Sequence, residues 1–271
     1  MFVSKEIVFI ELHKTGSSHI DKLLAQVLSG RKVGKHNPAT ADLFNGNRSF
    51  IGSVRNPWEW YVSLWAYGCN RRGGIFKRVT RPKGQIKTFN WRKSPLESAY
   101  LLATDFSRDR DFWLYCYSDV NDPSVFQAWL KMIHSKKSRN DHAGGYGFSG
   151  ISDFSGLLTY RYLKLFCANP KNDGFKRILN YEELKEFESQ NCYIDHFIRN
   201  EFLEEDFIKT LEKCGVALSD EQEMEIKKSG KTNASSGKKE VDYYYNDETS
   251  KFVGEIDKLI VEKFGYKPPK I

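Results

Sequence analysis

The sequence lacks any apolar run approaching the ~18 residues of a membrane-crossing helix. No leader segment precedes the first strand pattern, which begins within a few residues of Met1. These absences predict a chain with no membrane span and a cytoplasmic location. Cysteine is sparse. The five residues, Cys69, Cys116, Cys167, Cys192 and Cys214, are odd in number, widely scattered and never paired as CxxC. That argues against a disulfide framework or a zinc site and for a reducing compartment. No internal repeat and no second-domain boundary is visible, so residues 1–271 are read as a single domain. The length suits one α/β unit with insertions. An apolar content of 40% is enough for a real core.

Acid is missing locally. From Arg71 to Lys93 there are nine basic residues and no acidic one. Of 42 basic and 35 acidic residues in all, removing these nine leaves 33 against 35, so the net charge of +7 belongs to this segment. Gly73, Gly74, Gly84 and Pro82 mark it as a basic, loop-rich insertion over about 70–94. It is expected at the rim of a site, steering an anionic acceptor; a solvated basic loop is the plainer reading. Phe89 and Trp91 interleave with the charge, but no nucleic-acid module accompanies them, and no nucleic-acid partner is expected.

What is present is an anion cradle. Residues 9–18 read Phe-Ile-Glu-Leu-His-Lys-Thr-Gly-Ser-Ser. An apolar run, Ile7 to Leu12, ends in a basic residue, a glycine and three hydroxyls, and a helical pattern from His19 to Leu28 follows at once. A strand feeding a small-residue turn that opens a helix converges backbone N–H groups on one point, and the helix N-terminus adds about half a positive charge. Lys14 adds a full charge; Thr15, Ser17 and Ser18 add donors. The usual nucleoside-triphosphate loop places its lysine after the glycines; here Lys14 precedes the only glycine, Gly16. No carboxylate suited to magnesium is evident. A second segment, residues 49–65, carries a short strand pattern from Phe50 to Val54, then Arg55-Asn56-Pro57, and Ser63 two helical turns on. Pro57 suits the first turn of a helix. A strand-end arginine and a serine on the following helix can both reach one phosphate, the arginine bringing a paired fork of donors.

Together the two segments resemble the phosphosulfate loop and the 3′-phosphate motif of sulfotransferases that use 3′-phosphoadenosine 5′-phosphosulfate (PAPS), closest to the carbohydrate, uronyl 2-O type. That family has a strand, a Pro-Lys-Thr-Gly turn and a hydroxyl residue opening a helix, then an Arg-Asp/Asn-Pro with a serine eight residues after the arginine. Similarity continues through Gly156–Tyr162, through Phe197–Glu201 with Leu203–Phe207, and into the tail at Tyr243–Tyr245, Asp247-Glu248 and Phe264–Tyr266. His13 stands where the family has proline.

The resemblance implies a P-loop-like α/β domain with a central parallel sheet flanked by helices. It implies PAPS as co-substrate, no metal requirement, and a carbohydrate or other hydroxyl acceptor, expected to be anionic. Lys14 would neutralise the leaving phosphate. Thr15, Gly16, Ser17 and Ser18 would wrap the 5′-phosphosulfate, and Arg55 and Ser63 would hold the 3′-phosphate. A sugar hydroxyl needs a general base. His36, in Gly34-Lys35-His36-Asn37-Pro38, occupies the segment where uronyl-type enzymes carry theirs. His13 is the second choice, with Lys14 expected to depress its basicity. His19 is placed to touch phosphate, while His134, His142 and His196 read as structural. Lys231, Asn233, Ser235 and Lys238, in a Gly/Ser/Lys stretch, are candidates to close over the nucleotide. Animal carbohydrate sulfotransferases carry an anchor and stem, so the expectation is a cytosolic microbial or viral enzyme or a trimmed piece. Two other readings stand beside this one: a P-loop-like small-molecule kinase, and a non-catalytic relative that binds anionic glycans.

The remaining pattern predicts helices over Pro95–Thr104, Pro123–His134 with Asp122 as N-cap, Ser155–Phe166, Leu203–Cys214 and Asp247–Phe264, and a late strand over Ile194–Ile198. Asn140–Gly150 reads as a surface loop near the acceptor.

Overall fold

The computed structural model describes residues 1–84, 103, 105–142, 144–169, 173–230 and 239–271. The helix expected over Pro95–Thr104, much of the basic insertion, and the candidates Lys231, Asn233, Ser235 and Lys238 lie outside the described residues, apart from residue 103.

The chain forms an α/β fold around a five-stranded sheet flanked by helices. The strands are β1 (Phe2–Ser4), β2 (Ile7–Ile10), β3 (Gly30–Lys32), β4 (Ser49–Val54) and β5 (His196–Arg199), in the order β3-β1-β2-β4-β5. Strands β2, β4 and β5 are parallel, whereas β1 runs antiparallel to both β2 and β3. The sheet is therefore mixed, which corrects the expected parallel one. Only Lys5 and Glu6 separate β1 from β2, and so short a connection closes only an antiparallel pair.

Side-chain alternation along β2 builds both faces. Ile7 and Phe9 pack on one side with Ile20, Leu24, Leu203 and Phe207. These come from α1 (Ser17–Val27) and from the later helix Leu203–Lys213. Val8 and Ile10 pack on the other side, in the larger core. That core is dominated by α2 (Pro57–Cys69), whose Trp58, Trp60, Tyr61 and Trp65 are all buried. A helix apolar nearly all round belongs inside. Asn56 caps it by accepting from the Trp58 N–H at 3.0 Å, with Pro57 in the first turn.

After α2 come α3 (Gly74–Thr80), α4 (Arg110–Tyr115), α5 (Pro123–His134), α6 (Leu157–Phe166), α7 (Tyr181–Asn191), α8 (Leu203–Lys213), α9 (Asp220–Lys228), α10 (Asp247–Ile256) and α11 (Lys258–Phe264). Asp122 caps α5, accepting from the Ser124 N–H at 2.8 Å. The single helix expected over Asp247–Phe264 is instead two, broken at Asp257. That carboxylate is fully buried and accepts from the Thr159 N–H (2.8 Å), the Thr159 hydroxyl (2.7 Å) and the Tyr61 hydroxyl (2.6 Å). Gly156, the N-cap of α6, has no side chain to satisfy the first amides, and a Cβ there would lie 2.5 Å from Asp257. So Asp257 caps α6 from another element, and its own helix gives way.

Two further expectations change. Asn140–Gly150 is not simply a surface loop: Tyr146 is buried, its hydroxyl donating to Ser155 O, and the buried Asp141 carboxylate accepts from Trp113 Nε1. The described part of the basic insertion is partly helical. Arg81 pairs with the buried Asp105, and Arg78 donates to Asp141 O, so these two cations hold structure rather than face ligand.

Candidate functional site

In register, Ile10 pairs with Gly52 and Val54 with Arg199, so β2, β4 and β5 end on the same edge. Loops leaving the carboxyl ends of parallel strands form the ligand crevice of open α/β sheets. Here they carry Glu11–Gly16, Arg55-Asn56 and Asn200–Phe202. They open on a cleft of about 1220 Å³. Among the described residues its lining carries seven lysine and arginine side chains against two carboxylates, Glu59 and Glu240, which suits an anionic ligand.

The cradle turns through two left-handed residues, Lys14 (φ 63°) and Gly16 (φ 77°). Lysine is strained there; glycine is not. A Cβ on Gly16 would also lie 2.6 Å from Leu203 and 2.8 Å from Asn200, so backbone and neighbours both require glycine. The Gly16 carbonyl accepts the first amides of α1. Lys14, Gly16, Ser17 and Ser18 line the cleft, and Lys14 Nζ sits 4.1 Å above the Tyr67 ring. Thr15 does not line it. Its fully buried hydroxyl donates to Leu12 O at 2.8 Å and lies 2.6 Å from Ser53 Oγ, tying the turn to β4. Its side chain is therefore an anchor under the cradle, and only its backbone could face an anion.

Arg55 and Ser63 also line the cleft. Arg55 reaches Lys14 O at 3.4 Å through Nη1, and its Nε and Nη2 pair with Glu59 at 3.2 and 2.8 Å. Glu59 drew no notice in the sequence, although its i,i+4 spacing from Arg55 was readable. A bound phosphate at Arg55 must share that guanidinium with it. The turn is held from behind by Glu201, which accepts from the Asn56 N–H at 2.7 Å and from the Tyr266 hydroxyl at 3.2 Å. Three separated stretches noted in the sequence thus meet at one point.

His36 lines the cleft with a left-handed backbone (φ 56°). Its Nδ1 lies 2.9 Å from Glu11 O, a carbonyl that can only accept, so Nδ1 carries the proton and Nε2 the lone pair. Burial lowers its pKa below the ordinary imidazole value, against the pull of the Glu11 carbonyl, so the ring is neutral at pH 7. His13 stacks on it, ring centroids 3.6 Å apart. Burial and then Arg161 push His13 down to about 2; the cause is not Lys14, as the sequence suggested. A group that weakly basic is a poor proton acceptor, which favours His36. His19 also borders the cleft but is buried, 3.5 Å from Glu204 and 3.2 Å from Ser229 Oγ. His142 is buried and His134 half-buried, each with a ring nitrogen against a backbone carbonyl.

Sequence reasoning passed over Arg161. It lies on α6 in the cleft wall, its guanidinium 5.5 Å from the Trp60 ring, and its buried Nη1 has no hydrogen-bond partner among the described residues. Burial lowers its pKa to about 10, which leaves it charged at neutral pH. Arg161 is half-buried overall, and a buried guanidinium nitrogen without a partner on a cleft wall can donate to an anion. Among the described residues no helix is long and apolar enough to cross a membrane. Comparison with family models, curated proteins and solved structures returns no match for this chain.

Proposed function

We propose that this protein is a PAPS-dependent sulfotransferase acting on a hydroxyl of a carbohydrate, with a P-loop-like cradle as the donor site. The observation that carries the reading is the meeting, in one cationic cleft, of the Lys14–Ser18 turn, the Arg55/Ser63 pair and a neutral histidine of defined tautomer. A donor with two separate anionic ends explains two separate anion sites. The glycine-only approach at Gly16 fits a phosphosulfate resting on backbone amides, and the orphaned Arg161 donor fits further negative charge nearby.

In this mechanism His36 Nε2 takes the proton from the acceptor hydroxyl as its oxygen bonds to sulfur. The bond from sulfur to the bridging phosphate oxygen breaks, and Lys14 neutralises the charge that develops there. The products are the sulfate ester and 3′-phosphoadenosine 5′-phosphate (PAP).

The direct test is a thermal-shift comparison of PAP with AMP and with ATP plus magnesium. A ligand that binds only the native chain raises its Tm by mass action. A shift with PAP that AMP does not reproduce is expected; a shift with ATP–magnesium and none with PAP would overturn the proposal in favour of a kinase. The base makes a second prediction. His36→Ala should lower turnover by about 10²–10⁴-fold while leaving the PAP shift intact. A base works deprotonated and burial lowers this pKa, so the wild-type rate should climb with pH through a value below 6.5 and be level at pH 7. A rate still rising above pH 7 would assign the proton to another group.

A further inference from the structure

Among the described residues Cys167 and Cys192 form an isolated antiparallel bridge. Cys167 ends α6 and Cys192 ends α7. The backbone bonds flank the two cysteines rather than joining them: Ala168 N donates to Asn191 O at 2.9 Å and Tyr193 N to Phe166 O at 3.0 Å. This is the non-hydrogen-bonded type of pair, in which the Cα atoms lie about 4.5 Å apart and opposite side chains approach most closely. That spacing falls inside the range a disulfide spans, about 4.4–6.8 Å, without backbone movement. The two sulfurs and a Glu188 carboxylate oxygen lie within 4.8 Å of one another.

We propose that Cys167 and Cys192 are a reversible dithiol–disulfide pair, a thiol switch that staples the C-terminal end of α6 to that of α7. Three donors in such a cluster also suggest a metal. The chemistry disfavours one, because Lys263 Nζ already sits 2.5 Å from Glu188, placing a positive charge beside the donors. A thiolate at Cys192 is favoured, against burial, first by the Cys167 thiol, then by the Ile194 backbone and the Tyr162 hydroxyl, 3.6 Å from Cys192 Sγ, and last by the same ammonium. Together they bring Cys192 down to about 7, whereas burial pushes Cys69 and Cys116 up to about 12. Cys192 is half-buried and Cys167 buried, so Cys192 is the sulfur an oxidant meets first.

With a small disulfide such as oxidised glutathione as oxidant, the Cys192 thiolate attacks one sulfur and one glutathione thiolate leaves. Cys167, losing its proton, then attacks Cys192 Sγ in the mixed disulfide and expels the second glutathione. Two protein thiols are oxidised and one small disulfide is reduced to two thiols. The staple bears on the cleft, because α6 carries Arg161 and Lys164 into its wall and the Tyr193 hydroxyl bonds both Leu165 O and the Ala39 N–H, three residues past His36.

The test exposes the whole chain to oxidised glutathione and maps its peptides without reduction. The expected product is one linked pair, Cys167 with Cys192, two hydrogens lighter than the reduced pair and restored by dithiothreitol. Its Tm should rise by roughly 5–10 °C. Cys192→Ser should take up no glutathione at position 167, while Cys167→Ser should retain it on Cys192. Glutathione retained on Cys192 in the wild type, a bridge to any other cysteine, or stoichiometric zinc that shields both thiols would each overturn the proposal. None of these readouts depends on the enzymatic reading.

Discussion

Lys14→Ala should lower turnover by at least about 10³-fold while the chain remains folded. The side chain lines the cleft and lies over Tyr67, outside both core clusters, so its loss creates no cavity. The backbone supports the same expectation. Lys14 holds a left-handed φ of 63° that alanine also adopts at a cost, so the strain is kept and only the ammonium is removed. In the proposed mechanism that ammonium matters most when the phosphate oxygen gains charge, so kcat should fall much more than KM rises. Steady-state kinetics beside a far-ultraviolet spectrum checks it. Wild-type kcat in a folded Lys14→Ala protein would remove lysine from the chemistry.

The largest stability loss should follow Asp257→Ala. Truncation strands the Thr159 N–H, the Thr159 hydroxyl and the Tyr61 hydroxyl, all three buried. An unsatisfied buried polar group costs about 1–3 kcal/mol. Water entering the small cavity recovers part of that, so a total of roughly 3–5 kcal/mol is expected. For a domain of this size that lowers Tm by roughly 10 °C. Asp257→Asn keeps one carbonyl oxygen for Thr159 and should fall between the two. Denaturant melts of the three proteins provide the measurement; an alanine variant within 1 kcal/mol of wild type would mean that Asp257 does not cap α6 (the threshold is about the mean effect of any substitution).

The two cases show which parts of the molecule its sequence discloses. That Lys14, Gly16, Arg55 and Ser63 share one cleft was legible because each belongs to a contiguous strand–turn–helix unit whose periodicity changes at these residues. The antiparallel edge was not: β1, Phe2–Ser4, is too short to show a period-two pattern, and the three residues of β3 are all exposed and leave no apolar signature. The Thr15 hydroxyl was read as a phosphosulfate contact, but it points to Leu12 O and Ser53 Oγ and leaves only the backbone for an anion; a hydroxyl serves either purpose, and only its distant neighbour decides. Asp257 sat inside a good amphipathic pattern. Its partners are 98 and 196 residues away, and nothing local marks a helix that yields to a distant cap. Arg161 and Glu59 were visible as charges, but their roles depend on which wall of the cleft they line.

The clasp at Glu201 has a kinetic consequence. It joins Asn56, 145 residues earlier, to Tyr266, 65 residues later, so both of its closures are long-range. Contacts of such separation form late, because the intervening chain must lose its freedom before they repay it. The Arg55 turn should therefore be among the last parts to mature on refolding. On the proposed donor-site reading, PAP added during refolding should bind only after the bulk of the helical signal has returned, with a lag that separates a folded molecule from a competent one.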